Sequence, residues 1–121
     1  MEEYIDLADR CQRYIERSSE VEPVDDELFD AWNELISLSL SDPYKAQQVI
    51  AATAERLNSP EHLAHLGAGP LENILHVLGE EAPIVLRRFD RHKLELLLQG
   101  AWRGGLPRSA KAWISSHFDF K

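Results

Sequence analysis

The stretch Leu66-Gly67-Ala68-Gly69-Pro70-Leu71-Glu72 carries the strongest local signal in this chain of 121 residues. Gly67 follows a helical apolar pattern, and glycine is favoured just past a helix end because it adopts positive φ without a Cβ penalty. Pro70 suits the first position of a new helix, where its missing N–H loses no partner. Glu72 falls at the third position, from which its carboxylate can reach the Gly69 N–H. The stretch therefore predicts a structural turn between two helices, formed by Gly67, Gly69, Pro70 and Glu72.

Other residues that begin or end helices divide the chain on both sides of this turn. Apolar residues recur at intervals of three and four, the helical period, and the alternation typical of strands is nowhere sustained. The pattern predicts helices over 3–17, 25–39, 43–57, 60–66, 70–79, 82–89, 90–98 and from Pro107 onward. We expect an all-α fold, a compact bundle of six to eight short helices in a single domain over 1–121. A short solenoid of helical hairpins is the alternative.

The same stretch, with Ile74, Leu75 and the later Trp102-Arg103 segment, resembles a family of small bacterial all-helical domains of unknown function. The similarity covers Asp30 to Trp113. It implies a helical fold and no mechanism. In general character, as a small acidic helical protein, the chain is also similar to the immunity proteins of bacterial toxin systems, although no motif carries that likeness.

The composition indicates a soluble protein of the cytoplasm. The acidic start lacks the basic and apolar regions of a signal peptide, and no run approaches the roughly 18 apolar residues of a membrane helix. The one cysteine, Cys11, lies on an apolar helical face with Ala8 and Ile15, which predicts a buried thiol in a reducing compartment.

The charge is unevenly distributed along the chain. Residues 1–60 hold 14 acidic and 5 basic residues, a net charge of −9, whereas residues 61–121 hold 7 and 8, a net charge of +1. Such a first half repels phosphates and attracts a basic protein surface. We therefore expect a protein-interaction module that binds a basic protein, with an immunity-type inhibitor as its specific form. The predicted contact residues are Glu22, Asp25, Asp26, Glu27, Asp30 and Glu34.

Histidines supply the alternative of a small metal-dependent enzyme. His62 and His65 are three residues apart, Glu72 and His76 are four apart, and a corner between their helices would bring all four toward a zinc ion. No His-Glu-x-x-His motif, nucleophile elbow or cysteine-protease signature is present. We therefore expect no enzyme activity, no cofactor and no metal.

Two further groups of residues have functional and structural interpretations. The basic residues Arg87, Arg88, Arg91 and Lys93 could touch nucleic acid, but acids interrupt the run, and pairing with the acidic half explains it as well. Core packing is the expectation for Trp102 and Trp113. If either is exposed, it becomes an anchor for a protein contact, and a homodimer is then the third candidate function.

Overall fold

Polar side chains begin most of the longer helices, as the sequence predicts. In the computed structural model, which describes residues 2–18 and 25–118, Asp25 Oδ1 accepts a hydrogen bond of 2.9 Å from the Glu27 N–H. Asp42 and Asp90 accept equivalent bonds from amides three residues on, at 3.2 Å and 3.0 Å. Pro43 and Pro60 occupy first helical positions. These caps satisfy amides that have no partner inside their own helix.

The described residues form eight α-helices. They are α1 (Glu2–Ser18), α2 (Asp26–Ser41), α3 (Pro43–Glu55), α4 (Pro60–Leu66), α5 (Glu72–Leu78), α6 (Ala82–Leu86), α7 (Arg91–Gly100) and α8 (Arg108–His117). A π-helical segment, Gly67–Leu71, joins α4 to α5, and a 3-10 turn, Gly79–Glu81, joins α5 to α6. No strand occurs in this part of the chain, which confirms the all-α prediction. None of these helices has the length and apolar character needed to cross a bilayer.

The helices enclose one continuous apolar core and form a compact bundle. The predicted inner face of α1 is confirmed, because Ala8, Cys11 and Ile15 are fully buried. This face packs against α2 and α3, while α4 packs against α7 and α2 against α5. In a solenoid each repeat contacts only its neighbours. The extensive contact between α4 and α7, which are distant in sequence, instead makes the fold a bundle.

The prediction of a turn at Gly67, Gly69, Pro70 and Glu72 is wrong. Gly67 has φ −69° and ψ −33°, in the right-handed helical region, and helical backbone continues from α4 into α5. The Glu72 N–H donates to the Gly67 carbonyl five residues back, which is a π-type bond. Proline has no amide proton for a helical bond, and the wider π turn accommodates that interruption. The Glu72 carboxylate does not cap Gly69 but binds the Trp102 N–H at 2.6 Å.

Gly67 is required for close packing rather than for positive φ. A Cβ placed on Gly67 would lie 1.8 Å from the Leu97 carbonyl oxygen of α7. Reciprocally, a Cβ on Gly100 would lie 1.9 Å from the Ala64 carbonyl oxygen of α4. Two glycines therefore allow the backbones of α4 and α7 to touch. Among the described residues, positive φ occurs at Gly79 alone.

Candidate partner-binding surface

Acidic side chains project from the first half of α2. Asp26, Glu27, Asp30 and Glu34 are all exposed, and we call these four residues the acidic stripe. Their spacings of three and four residues place neighbouring carboxylates on the same side of the helix. Asp25, also exposed, caps α2, whereas Glu22 lies outside the described residues.

Most of the acidic stripe has no basic partner within the described residues. Arg10 Nη2 lies 3.9 Å from a Glu34 carboxylate oxygen but is closer, at 2.9 Å, to Asp6. No lysine, arginine or histidine of residues 2–18 and 25–118 forms an ion pair with Asp26, Glu27 or Asp30. Like charges at this helical spacing destabilise a helix by about 0.2–0.5 kcal/mol per pair. A bound cation would relieve that repulsion.

An aromatic cluster adjoins the acidic stripe, and the sequence patterns did not identify it as a site. It consists of Tyr14 of α1, Phe29 and Trp32 of α2, and His65 of α4, and we call it the aromatic face. The Tyr14 and Trp32 rings stack with centroids 5.0 Å apart and an interplanar angle of 14°. His65 meets Trp32 edge-on at 5.2 Å, and Phe29 lies 6.2 Å from Tyr14. Phe29 is 49% exposed and the other three side chains are half-buried.

The π-helical segment packs against Trp32 of the aromatic face. A Cβ on Gly69 would lie 3.2 Å from Cζ2 of Trp32 and 3.2 Å from Cδ1 of Ile36, so glycine lets α2 pack closely on this segment. On the other side, Ser18 Oγ lies 3.4 Å from Nδ1 of His65. Burial, and to a smaller extent the charge of His62, lower the pKa of His65 below its ordinary value of 6.5. His65 is therefore neutral at pH 7 and leaves the net charge of this surface negative.

A groove of about 570 Å³ lies at the other end of the acidic stripe, between α1 and α2. Its charged lining comprises Asp6, Arg10, Glu34 and Lys45. Two cations balance two carboxylates there, so the groove does not share the net negative charge of the stripe. The unbalanced charge lies at the start of α2.

The four residues predicted for the metal alternative lie on two helices, His62 and His65 on α4 and Glu72 and His76 on α5. His65 belongs to the aromatic face, whereas Glu72 and His76 on α5 both bind the backbone of Trp102. No three His, Cys, Asp or Glu side chains in the described ranges are grouped so that they could hold a metal ion. The predicted corner between helices would have brought the four together, but the helical continuation through Gly67 removes it.

Trp102 is exposed, contrary to the expectation of core packing. Its side chain is 62% exposed and stacks on His76 with ring centroids 5.2 Å apart. The Glu72 carboxylate accepts a hydrogen bond from the Trp102 backbone N–H, and a ring nitrogen of His76 lies 3.2 Å from the Trp102 carbonyl oxygen. Two side chains one helical turn apart thus hold the Trp102 backbone. Trp113 is half-buried and stacks on His117 at 4.0 Å.

The basic residues near the start of α7 contact aromatic rings and backbone carbonyls of other parts of the chain. Arg88 lies over the Tyr44 ring at 5.7 Å, and Arg91 donates to the His117 carbonyl at 2.7 Å. Lys93 donates through Nζ to the carbonyl of Leu57. In the described residues none of these bases pairs with a carboxylate of the first half, so the pairing suggested by sequence does not form there.

Cys11 is fully buried, as predicted. Its Sγ lies 3.6 Å from the Ala31 carbonyl oxygen, across the contact between α1 and α2. Burial raises the pKa of the Cys11 thiol to about 12. Because the thiolate is the nucleophile, this residue is an inert part of the core in the folded protein.

Comparison of the chain with family models, curated proteins and solved structures finds no match to any of them.

Proposed function

We propose that this protein is an interaction module that binds a basic surface of a partner protein through the acidic stripe and Asp25, together with Glu22, which precedes them in the sequence. The observation that carries the proposal is the set of exposed carboxylates at Asp26, Glu27 and Asp30, which have no basic partner among the described residues. The adjacent half-exposed Phe29 provides an apolar anchor inside a charged rim. A buried aromatic centre with a polar rim is the usual anatomy of a protein interface.

The charge distribution supports rapid association with such a partner. The whole excess of negative charge lies in residues 1–60, so a basic protein approaching this end is attracted over a distance. Electrostatic steering of this kind raises association rates by about 10- to 1,000-fold, and the effect falls with ionic strength. We propose the cytoplasm as the compartment, since a single buried thiol suits a reducing environment.

We propose further that binding inhibits the partner, in the manner of an immunity protein that masks a basic toxin or enzyme surface. The small size, the concentrated charge and the lack of catalytic signatures in the sequence support action by binding rather than by catalysis. The resemblance of the Leu66–Glu72 stretch to small bacterial helical domains stays a prediction. A toxin-like reading frame next to the gene would add to the case.

Affinity capture with matched variants tests the proposal. The stripe variant carries Glu27→Gln, Asp30→Asn and Glu34→Gln. The control carries Glu55→Gln, Glu80→Gln and Glu81→Gln, three exposed acids outside the stripe, and therefore has the same net charge. We expect a basic protein from the native cell to be captured by the unchanged protein and the control, and to be lost with the stripe variant. The rate at which the captured basic protein associates with the unchanged protein should fall at least tenfold from low to high salt.

The outcomes of this experiment separate the two parts of the proposal. Identical captured proteins for all three baits would refute the stripe as a binding surface. A captured partner whose activity is unchanged at equal molar ratio would refute inhibition but leave the interaction standing.

A homodimer is the second candidate function, because Trp102 is both exposed and held in place. Exposed, pre-organised tryptophan is a frequent anchor of protein contacts. Sedimentation equilibrium should show a dimer that Trp102→Ala converts to monomer, while Trp113→Phe leaves it intact. A monomer at concentrations of about 100 μM would refute this candidate, since a dimer that weak has little binding free energy.

A further inference from the structure

Within residues 2–18 and 25–118, no lysine or arginine covers the aromatic rings beside the acidic stripe, although cations cover rings elsewhere in the molecule. Lys45 lies over Tyr4 at 5.4 Å, Arg88 over Tyr44 at 5.7 Å and Arg91 over Phe118 at 5.5 Å. In contrast, no lysine or arginine in the described ranges lies over Tyr14, Phe29 or Trp32. Among the described residues, the rings beside the acidic stripe are therefore open to a cation from another molecule.

A carboxylate neighbours Phe29, the most exposed ring of the aromatic face. Asp26 precedes Phe29 by three residues, a spacing that makes the two side chains neighbours on the surface of α2. Asp30 follows Phe29 directly, a spacing at which helical side chains do not face each other, and it is instead a neighbour of Asp26, four residues before it. A planar cation resting on Phe29 would have the Asp26 carboxylate beside it. This combination of ring face and carboxylate matches a guanidinium group, which stacks on aromatic rings and forms paired hydrogen bonds to a carboxylate.

We infer that the aromatic face receives an arginine side chain of the basic partner, with the guanidinium on Phe29 and its N–H groups directed to Asp26. This inference rests on the proposed binding function of the acidic stripe and specifies what the stripe recognises. A lysine ammonium is a compact, strongly hydrated charge that matches the carboxylates but makes less use of the ring. The surface therefore distinguishes arginine from lysine.

The aromatic face is already ordered for this contact. Tyr14 and Trp32 are stacked and half-buried, His65 contacts both rings, and Gly69 allows the π-helical segment to support Trp32. A ring cluster fixed by contacts from α1, α2 and α4 loses little conformational freedom when a ligand binds. Phe29 lies at the exposed edge of this cluster, where a side chain from another protein can reach it.

Two peptides of equal charge and length serve as probes, acetylated and amidated GRGRG and GKGKG, titrated at low salt into the isotope-labelled full chain. We expect both to shift the backbone amide signals of the acidic stripe. The arginine peptide should in addition shift the indole N–H signal of Trp32 and bind about two- to fivefold more tightly, the range of an exposed cation–π contact.

Phe29→Leu keeps an apolar side chain but removes the ring, so it should abolish the preference for arginine and leave lysine binding unchanged. Tyr44→Leu is the matched control, because Tyr44 is also partly exposed but its ring is already covered by Arg88; it should change neither affinity. Equal binding of the two peptides, or a preference that survives in Phe29→Leu, overturns the arginine inference. The stripe would then still be a site that binds cations. If neither peptide shifts the stripe signals, the proposed function itself fails.

Discussion

The close crossing of α4 and α7 gives the sharpest test of the fold. At Gly67 the backbone is helical, so alanine would ordinarily be the better residue by about 0.5–1 kcal/mol. Here the added Cβ would lie 1.8 Å from the Leu97 carbonyl oxygen, whereas Cβ atoms are essentially never seen within 3.0 Å of such an atom. The two backbones must therefore separate by about 1.2 Å, the difference between these two distances.

The expected magnitude follows from what has to move. Overpacking typically costs about 1–3 kcal/mol, and the upper end applies because the opposing atoms are backbone rather than a mobile side chain. After the gain in helix propensity, Gly67→Ala should lower the free energy of unfolding by about 2–2.5 kcal/mol. For a domain of this size that corresponds to a fall of about 10 °C in Tm.

Urea unfolding followed by circular dichroism measures this change, with Gly69→Ala as the control in the same π-helical segment. A Cβ on Gly69 meets only side-chain atoms of Trp32 and Ile36, at 3.2 Å, so this variant should stay within about 1 kcal/mol of the unchanged protein. Gly67→Ala and Gly100→Ala both force the same two helices apart. The double variant should therefore lose about 3 kcal/mol rather than the additive value of about 5 kcal/mol.

Two results would refute the reasoning about this crossing. If Gly67→Ala were as stable as the Gly69→Ala control, the backbones of α4 and α7 would not be in contact. If the losses at Gly67 and Gly100 added fully, the two glycines would not serve the same helix contact.

Three further predictions concern single side chains. Cys11 is buried and the pKa of its thiol is raised to about 12, so it should react with a thiol reagent at about pH 8 only when the protein unfolds. Gly67→Ala should speed the labelling in proportion to the stability that this variant loses. Rapid labelling of the unchanged protein would contradict this prediction. Glu72→Ala removes the hydrogen bond to the Trp102 N–H, so it should lower the free energy of unfolding by about 1 kcal/mol. It should also change the near-ultraviolet circular dichroism of tryptophan, and an unchanged spectrum would argue against that bond. His65 has a lowered pKa in the folded state, so the unfolded chain takes up a proton first as the pH falls below about 6.5, and stability decreases in that window. In urea unfolding between about pH 7.5 and about pH 5.5, His65→Phe should lose less stability than the unchanged protein, and equal losses would remove His65 as the cause.

The helix boundaries and the inner faces were predictable because their causes are local. Asp25, Asp42 and Asp90 cap helices through amides two or three residues away, and no other part of the chain is needed for that. The apolar period of α1 likewise predicts its buried side without a known neighbour. The acidic stripe belongs to the same class, because charges on one helix side follow from residue spacing alone.

The aromatic face was not predictable from the same patterns. Tyr14, Trp32 and His65 come from three helices, and only the packing of α1 and α4 around α2 brings their rings within about 6 Å. Interleaving of Phe29 with acidic residues on α2 was the available signal in the sequence. Exposure of Trp102 also depends on a distant contact, since Glu72 and His76 hold it from α5.

The Leu66–Glu72 stretch shows where local determination ends. Its residue types correctly marked a special backbone position, because glycine and proline side by side disfavour an ordinary α-helix. Which special structure forms was decided by α7, whose backbone lies where any side chain at Gly67 would be. Glycine is suited both to positive φ in a turn and to close contact between two backbones. The residues next to Gly67 in the sequence do not distinguish between these two uses. Only the position of a helix about 30 residues away selects the second use, so a turn was expected where the chain continues as a π-helix.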